Sequence, residues 1–273
     1  MTENAVGVTG QAPPAVSIVI PTYNERDRLA DLVERVCSLF ARHGVAAQLI
    51  VVDDNSPDGT GRLAESLAER YPLRVVHRPG KLGLGSAVVD GFAVAGSDVV
   101  GVMDADLSHP PDAFLGMLAA LRALEVDAVI GSRYIPGGGS TGWSPARLVM
   151  SRLACGLARL LTPVRDATSG LFLIRQAAVR GVEISAAGFK ICLELLVRGR
   201  VASVAEVPYT FVGRTAGKSK MNLGEAVGYL SQLASLHRHR FFGPGRTRRQ
   251  RYIRLTLEEA RRHVDNLFPS IPR

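Results

Sequence analysis

The sequence predicts an α/β fold in which a mostly parallel sheet is flanked by helices. Short apolar runs that suit buried strands alternate along the chain with longer segments whose apolar residues recur at helical spacing. Strands and helices that alternate in this way form parallel sheets with right-handed crossovers. In such sheets ligands bind beyond the carboxyl ends of the strands, so polar residues directly after a strand are the first candidates for a site.

The predicted strands are short apolar runs bounded by turn residues. The first is stopped by Pro21, and the run at 99–103 is apolar enough to be buried on both faces of a sheet. In chain order the predicted strands are 16–20, 49–52, 74–77, 99–103, 127–131, 171–174 and 204–207.

The predicted helices carry apolar residues three and four positions apart. Asn24 is a good N-cap for the first helix, and the glycine-rich stretch 81–85 is interpreted as a tight turn before the third. The helix near 145–161 places Arg152 and Arg159, seven residues apart, on one side. In chain order the predicted helices are 24–40, 63–68, 86–95, 112–124, 145–161, a segment after 190, and 223–236.

The chain is predicted to contain one large domain between two segments of different character. Residues 1–15 are small and polar and are predicted to be a disordered leader. Residues 16–221 carry the α/β pattern. Residues 222–273 combine an amphipathic helix with arginine clusters and are predicted to form a basic helical C-terminal extension. This extension either lies on an anionic membrane surface or packs on the domain.

Composition and charge narrow the class of protein. The 273 residues carry a formal net charge of +8, which favours a polyanionic partner such as nucleic acid, anionic lipid or a phosphorylated substrate. Three scattered cysteines, Cys37, Cys155 and Cys192, indicate free thiols in a reducing compartment. The sequence has neither a signal-peptide pattern nor an apolar run of about 18 residues. We therefore expect a cytoplasmic protein that can touch a membrane.

Three polar tracts each follow a predicted strand directly: 21–25, 53–59 and 104–109. We expect them to meet at one edge of the sheet. In the third tract Asp104 and Asp106 are two positions apart, so in an extended chain both carboxylates point to the same side. Hard oxygen ligands in this arrangement suit Mg²⁺ or Mn²⁺, and the alternative is a solvated acidic turn.

A set of motifs in a fixed order resembles the inverting GT-A glycosyltransferases, specifically the dolichol- or polyprenol-phosphate mannose synthase branch. The resemblance covers about residues 16–221 and implies the Rossmann-like GT-A fold for that part. The motifs are IVIPTYNE (18–25), VVDDNSPDGT (51–60), MDADLSHPP (103–111), GSRY (131–134) with Trp143 and Arg147, DATSG (166–170), GFKICLEL (188–195) and GKSKM (217–221).

The resemblance implies a role for each matching position. Ser108 stands where some members carry glutamine and is the third candidate metal ligand, and Asp106, Arg133 and Arg147 are the implied catalytic residues. The implied sets are a nucleoside pocket of Pro21, Tyr23, Glu25, Val52 and Asp54; a metal and diphosphate site of Asp104, Ala105 and Asp106; an acceptor-phosphate site of Arg133 and Arg147; and donor contacts from Lys190, Arg214 and Lys220.

The function implied by this resemblance is transfer of mannose from GDP-mannose to a polyprenyl (dolichyl-type) monophosphate with inversion. The enzyme would use Mg²⁺ or Mn²⁺ and associate peripherally with the cytoplasmic face of a membrane. One alternative is a UDP-sugar-dependent polyprenyl-phosphate glucosyl- or N-acetylhexosaminyltransferase. Another is a non-catalytic module that binds a sugar nucleotide or phospholipid, which the intact acidic and basic residues disfavour. Nucleic-acid binding through the arginine-rich tail is not expected, because the sequence shows no known nucleic-acid-binding motif.

Overall fold

A computed structural model describes residues 15–184, 190–213, 223–242 and 249–270. Within these residues the chain forms ten strands and nine helices. The strands are β1 (Val16–Thr22), β2 (Ala47–Asp53), β3 (Leu73–His77), β4 (Val99–Val102), β5 (Ala128–Ser132), β6 (Gly139–Thr141), β7 (Phe172–Arg175), β8 (Ser203–Pro208), β9 (Thr210–Val212) and β10 (Arg251–Arg254). The helices are α1 (Arg26–Arg42), α2 (Thr60–Ala68), α3 (Leu84–Ala93), α4 (Pro111–Ala123), α5 (Pro145–Ala158), α6 (Gln176–Val179), α7 (Ile191–Arg198), α8 (Leu223–Phe242) and α9 (Leu257–Leu267).

Eight strands form one sheet in the order β10-β8-β5-β7-β4-β1-β2-β3, and β6 and β9 form a separate two-stranded sheet. Only β7 runs antiparallel to its neighbours β4 and β5, while the other pairs of the large sheet are parallel. The predicted mostly parallel sheet flanked by helices is therefore confirmed. Because β4, β1 and β2 are adjacent, the tracts that follow them begin at the same edge.

The central strands are buried on both faces, as their continuous apolar sequences predict. In β1, Ile18 and Ile20 belong to the core beneath α1 and α4, whereas Val19 belongs to the core on the opposite face. Gly91 of α3 lies so close to β1 that a side-chain carbon at this position would come within 2.5 Å of Val19. The sheet is thus tightly packed on both faces, and the loops after β1, β2 and β4 extend from its carboxyl edge.

The end of the chain differs from the predicted basic helical extension. α8 is a helix as expected, but residues 251–254 form the edge strand β10, which pairs in parallel with β8. The following helix α9 begins with a capping box between Thr256 and Glu259. Beyond α9, the buried Phe268 accepts a hydrogen bond from Nδ1 of His43 through its carbonyl oxygen (2.5 Å). Residues 251–268 are therefore an integral part of the α/β domain rather than a helical appendage.

No helix in the described part of the chain is both long enough and apolar enough to cross a bilayer.

Candidate active site

The three polar tracts predicted to meet do converge at the carboxyl edge of the sheet. The amide of Asn24 donates a hydrogen bond to Oγ of Ser56 (3.0 Å), which joins the loops after β1 and β2. Nη1 of Arg28, at the start of α1, donates to the carbonyl oxygen of Asp106 (3.1 Å). The loop after β4 is thereby fixed to the loop after β1.

The acidic pair lies in a tight turn that the protein itself holds. The amide of Ser108 donates to Oδ1 of Asp106 (3.0 Å), and Leu107 between them has a φ of 63°. This left-handed conformation costs a residue such as leucine about 1–2 kcal/mol. Strain of this kind is found where function fixes a backbone geometry. Asp106 is buried, whereas the side chain of Asp104 is 35% exposed and accessible.

His109 orients Asp104 rather than acting as a base. Its Nδ1 accepts a hydrogen bond from the amide of Asp104 (3.1 Å), so the ring proton resides on Nε2, which faces Oδ2 of Asp104 at 3.7 Å. Burial lowers the pKa of His109, although the carboxylates of Asp104 and Asp106 act in the opposite direction. The ring is therefore neutral near pH 7, and it fixes the backbone of Asp104 through the hydrogen bond to Nδ1.

The donor atoms at this turn fit a divalent cation that prefers oxygen ligands. Asp104 and Asp106 supply two carboxylates, and the buried Oγ of Ser108 has no hydrogen-bond partner. Across the described residues no group of three or more His, Cys, Asp or Glu side chains could hold a metal ion. Two carboxylates with a hydroxyl leave further positions to water and substrate phosphates, as is usual for Mg²⁺.

The basic end of the site is a buried ion pair between Arg133 and Asp166. Nε of Arg133 donates to Oδ2 of Asp166 (2.7 Å) and Nη2 donates to Oδ1 (2.6 Å), while the Arg133 amide also donates to Oδ2 (2.9 Å). Burial on its own lowers the pKa of Arg133, but the hydrogen bonds and charge of Asp166 outweigh it and raise the pKa. Nη1 takes no part in these bonds.

Four rings, which we call the aromatic bridge, connect the acidic and basic ends: His109, Tyr209, Phe211 and Trp143. The His109 ring contacts those of Tyr209 and Phe211 edge to face, with centroids 5.6 and 5.7 Å apart. The Trp143 ring lies 5.2 Å from that of Phe211. The bridge therefore runs from the histidine that holds Asp104 to the tryptophan in the loop before α5.

Both predicted acceptor-phosphate arginines lie against Trp143. The guanidinium carbon of Arg133 is 5.1 Å from the centroid of the Trp143 ring, and that of Arg147 is 4.2 Å away. Cations at these distances are attracted to the face of an indole ring. Trp143 thus brings together two guanidinium groups that are distant in the sequence.

The loop 166–170 touches both ends of the site. Asp166, at its start, binds Arg133, and Gly170, at its end, lies against Asp104. A side-chain carbon at position 170 would come within 3.2 Å of Oδ1 of Asp104 and 3.3 Å of Cε1 of His109. The motif at 166–170 is recognisable in the sequence, but no role was predicted for its residues. The matched motif itself was the signal that could have led to Asp166.

The residues predicted to line a nucleoside pocket differ in how accessible their side chains are. Tyr23 is exposed, and Nζ of Lys81 lies 4.1 Å from the centroid of its ring. Pro21 and Glu25 are half-buried, whereas Val52 and Ala105 are buried. The Tyr23 ring and Lys81 therefore provide the accessible surface among these residues.

Asp54 differs from the other predicted pocket residues, because hydrogen bonds within the protein occupy both of its carboxylate oxygens. Oδ1 accepts a hydrogen bond from Nη1 of the buried Arg78 (2.5 Å), and Oδ2 accepts from the amides of Leu82 and Gly83 (3.1 and 3.0 Å). Asp54 thus holds the turn before α3. Arg78 was missed by sequence analysis, since it lies in no recognised motif.

Of the predicted donor contacts, Lys190 lies just before α7, and its amide donates to Oε1 of Gln232 in α8 (3.4 Å). Arg214 and Lys220 lie outside the described residues.

Fold and site together define the class of protein: an α/β glycosyltransferase domain. The sequence profile of glycosyl transferase family 2 matches residues 17–182, and the chain belongs to this family. Its similarity is to dolichol-phosphate mannosyltransferases and a polyprenol monophosphomannose synthase, which confirms the resemblance found in the sequence.

Three curated relatives illustrate this similarity. Dolichol-phosphate mannosyltransferase of Mycosarcoma maydis is 38% identical over 245 residues, or 86% of this chain and 83% of the relative. Polyprenol monophosphomannose synthase of Mycolicibacterium smegmatis is 41% identical over 227 residues, which are 77% of this chain and 83% of the relative. Dolichol-phosphate mannosyltransferase of Pyrococcus furiosus is 40% identical over 225 residues. That match covers 81% of this chain but only 63% of the Pyrococcus protein.

Solved structures share the fold at lower identity. Mannosyl-3-phosphoglycerate synthase from Rubrobacter xylanophilus matches with a TM-score of 0.63 and 21% identity, covering 84% of this chain and 74% of that one. Glucosyl-3-phosphoglycerate synthase from Mycobacterium tuberculosis, crystallised with Mn²⁺, UDP and glucosyl-3-phosphoglycerate, matches with a TM-score of 0.59 and 20% identity, covering 83% and 80%. At these identities the likeness is one of fold.

Proposed function

We propose that this protein transfers mannose from GDP-mannose to a polyprenyl monophosphate with inversion at the anomeric carbon. The relatives named for dolichol- and polyprenol-phosphate mannose synthesis support the sugar and the acceptor. The structural observation that carries the proposal is the aromatic bridge, which joins an acidic pair suited to a metal–diphosphate complex with an arginine pair suited to a second phosphate.

The donor half of the site would bind the nucleotide sugar. Asp104 and Asp106, with Ser108, would hold Mg²⁺ or Mn²⁺, an ion that neutralises the charge of the nucleoside diphosphate when bound. The presence of Mn²⁺ in the fold-related glucosyl-3-phosphoglycerate synthase supports this assignment. The residues proposed to complete the donor site are Pro21, Tyr23, Glu25, Val52 and Asp54 at the nucleoside, Ala105 between the two aspartates at the metal and diphosphate, and Lys190, Arg214 and Lys220 at the phosphates.

The acceptor half would bind the lipid phosphate between Arg133 and Arg147. A phosphate monoester carries about −1.5 to −2 charges at pH 7, so its oxygen is already a nucleophile and requires no general base. The neutral state of His109, whose Nδ1 already accepts a hydrogen bond from the amide of Asp104, is consistent with this. An acceptor oxygen forms a bond to the anomeric carbon while the bond from that carbon to the β-phosphate oxygen breaks, and GDP leaves. In Arg133 the Nε and Nη2 groups are bound to Asp166, so Nη1 would donate to the phosphate. The planar guanidinium group of Arg147 suits bidentate binding of phosphate.

A lipid acceptor requires the protein to work at a membrane, and we place it peripherally at the cytoplasmic face. The described part of α8 supports this, because it exposes Val227, Leu230, Phe241 and Phe242 and carries basic residues in its last turn. Apolar and cationic side chains in one helix are typical of segments that lie on anionic lipid. Sedimentation of the full chain with anionic vesicles tests this association.

The function is tested by incubating the full chain with labelled GDP-mannose, polyprenyl phosphate and Mg²⁺, and then extracting the lipid. We expect label in the organic phase, complete loss of transfer after chelation with EDTA, and recovery with Mg²⁺ or Mn²⁺. Parallel reactions with UDP-glucose and UDP-N-acetylhexosamines test the alternative donors. Label from a UDP-sugar alone would overturn the assignment of donor, and absence of label from every donor would overturn the enzyme activity.

Gly170→Ala is expected to lower kcat/KM for the donor about tenfold, because the added methyl group must displace the carboxylate of Asp104 by a few tenths of an ångström. The required metal concentration should rise in parallel, and thermal stability should change little. Gly156→Ala in α5 is the matched control, since a side-chain carbon there has no atom within 4 Å. Equal kinetics of the two variants would contradict the role of Gly170 in leaving room for Asp104.

A further inference from the structure

Three arginines outside the site described above surround one cleft beside α5: Arg152, Arg159 and Arg165, which we call the arginine cleft. Arg152 and Arg159 are two helical turns apart on the same side of α5, and Arg165 follows in the loop toward β7. All three line a cavity of about 550 Å³. Arg159 and Arg165 also line an adjoining cavity of about 860 Å³, together with Arg254.

Among the described residues, no acidic side chain forms an ion pair with the arginines of this cleft. The guanidinium carbon of Arg152 lies 6.0 Å from the centroid of the Tyr134 ring. Like charges around one cavity repel each other, and a bound anion removes that repulsion.

Three carboxylates lie close to the cleft, and each accepts hydrogen bonds from groups other than the guanidinium groups of the cleft. Asp166 is bound by Arg133. Glu206 accepts hydrogen bonds from the amides of Arg165 and Asp166 (both 2.9 Å) and from the hydroxyl of Tyr252. Glu259, at the rim of the larger cavity, is held in the capping box with Thr256. None of these three carboxylates forms an ion pair with Arg152, Arg159 or Arg165 in the described part of the chain.

The cleft is next to the proposed acceptor site but differs from it. Arg133 lines the smaller cavity, yet Arg147 and Trp143 line neither cavity. The exposed side chains Leu153 and Leu157 of α5, and Leu160 just after its end, are close in the chain to Arg152 and Arg159. Exposed apolar side chains close to guanidinium groups match the chemistry of a phosphate that is attached to a lipid.

We propose that the arginine cleft is a second anion site, which binds a phosphate group through Arg152, Arg159 and Arg165. The phosphate belongs either to a phospholipid headgroup or to a free phosphate ion, and both sources present the same oxygens to the guanidinium groups. Binding there adds an anchoring or regulatory contact to the two phosphorylated substrates of the proposed reaction.

The test compares the full chain with the variant Arg152→Gln/Arg159→Gln, in which both substituted residues are exposed. The matched control is Arg200→Gln/Arg261→Gln, which removes the same charge from exposed positions outside both cavities. Inorganic phosphate is titrated by calorimetry, and binding to phosphatidylcholine vesicles with and without phosphatidylglycerol is measured by sedimentation.

We expect about tenfold weaker binding for each cleft arginine removed, and near-unchanged binding by the control. If the cleft variant binds inorganic phosphate more weakly in calorimetry, the cleft is a free-phosphate site. If the variant loses binding only to vesicles that contain phosphatidylglycerol, the cleft is a headgroup site. Equal binding by wild type and cleft variant in both arms would overturn the proposal. Because no sugar donor is present, this result is independent of whether mannosyl transfer is observed.

Discussion

Asp106→Asn is expected to reduce mannosyl transfer about 10³-fold, the size of effect seen when one charge-stabilising group is removed from an active site. Asparagine keeps the shape of the side chain and an oxygen that can accept from the amide of Ser108, so the turn containing Leu107 is preserved. The variant loses only the negative charge that would bind the metal. We therefore expect a normal fold with little residual turnover at any Mg²⁺ concentration.

The stability of this variant separates a catalytic effect from a structural one. Without metal, Asp104 and Asp106 are two carboxylates close in the chain, so removing one charge should leave the melting temperature unchanged or slightly higher. Asp112→Asn is the matched control, because Asp112 lies in the first turn of α4 and has no role in the proposed site. Near-normal turnover of Asp106→Asn would refute the metal assignment.

Asp166→Asn is expected to destabilise the protein by about 3–5 kcal/mol, because it leaves the buried guanidinium of Arg133 without its counter-ion. Both Asp166 oxygens accept hydrogen bonds from Arg133, so the amide nitrogen of asparagine would face a donor. Urea denaturation measures the loss. Asp31→Asn is the control: its pair with Arg35 is exposed, and such pairs contribute about 0–1 kcal/mol.

A double variant, Arg133→Met/Asp166→Leu, separates the stability of this pair from its function. Replacing a buried ion pair by apolar residues of similar size is often neutral or stabilising, so most of the lost stability should return. Transfer to the polyprenyl phosphate should stay abolished, because the acceptor phosphate has lost Arg133. Recovery of transfer together with stability would show that Arg133 does not bind the acceptor.

The edge of the sheet where the site lies could be predicted from the sequence because chain order decides it. A parallel sheet places the ends of β1, β2 and β4 together, and the polar tracts after them are visible as breaks in apolar runs. The spacing of Asp104 and Asp106 is equally local. No such local rule identifies the partner of Arg133, since Asp166 is 33 residues away and meets it only through the packing of β5 against β7.

The same reasoning explains why neither the ion pair between Arg78 and Asp54 nor the pairing of β10 with β8 was predicted. Arg78 reaches Asp54 across 24 residues, and only the adjacency of β2 and β3 brings them together. In β10, exposed Arg251 and Arg254 flank half-buried Tyr252 and Ile253, so charge dominates the sequence pattern of this strand. Edge strands commonly carry such charges, which resemble a solvated tail when the sheet is not known.

The position of β10 has a consequence for how the chain matures on the ribosome. Each residue of β8 emerges 48 residues before its partner in β10, as the pairing of Ser203 with Arg251 shows. During that interval the nascent sheet presents an open row of amides and carbonyls to the crowded surroundings, a template for unwanted association. Residues 251–254 cover this edge of the sheet. Shortened chains that lack them should accumulate as insoluble protein, even though every proposed catalytic group is still encoded.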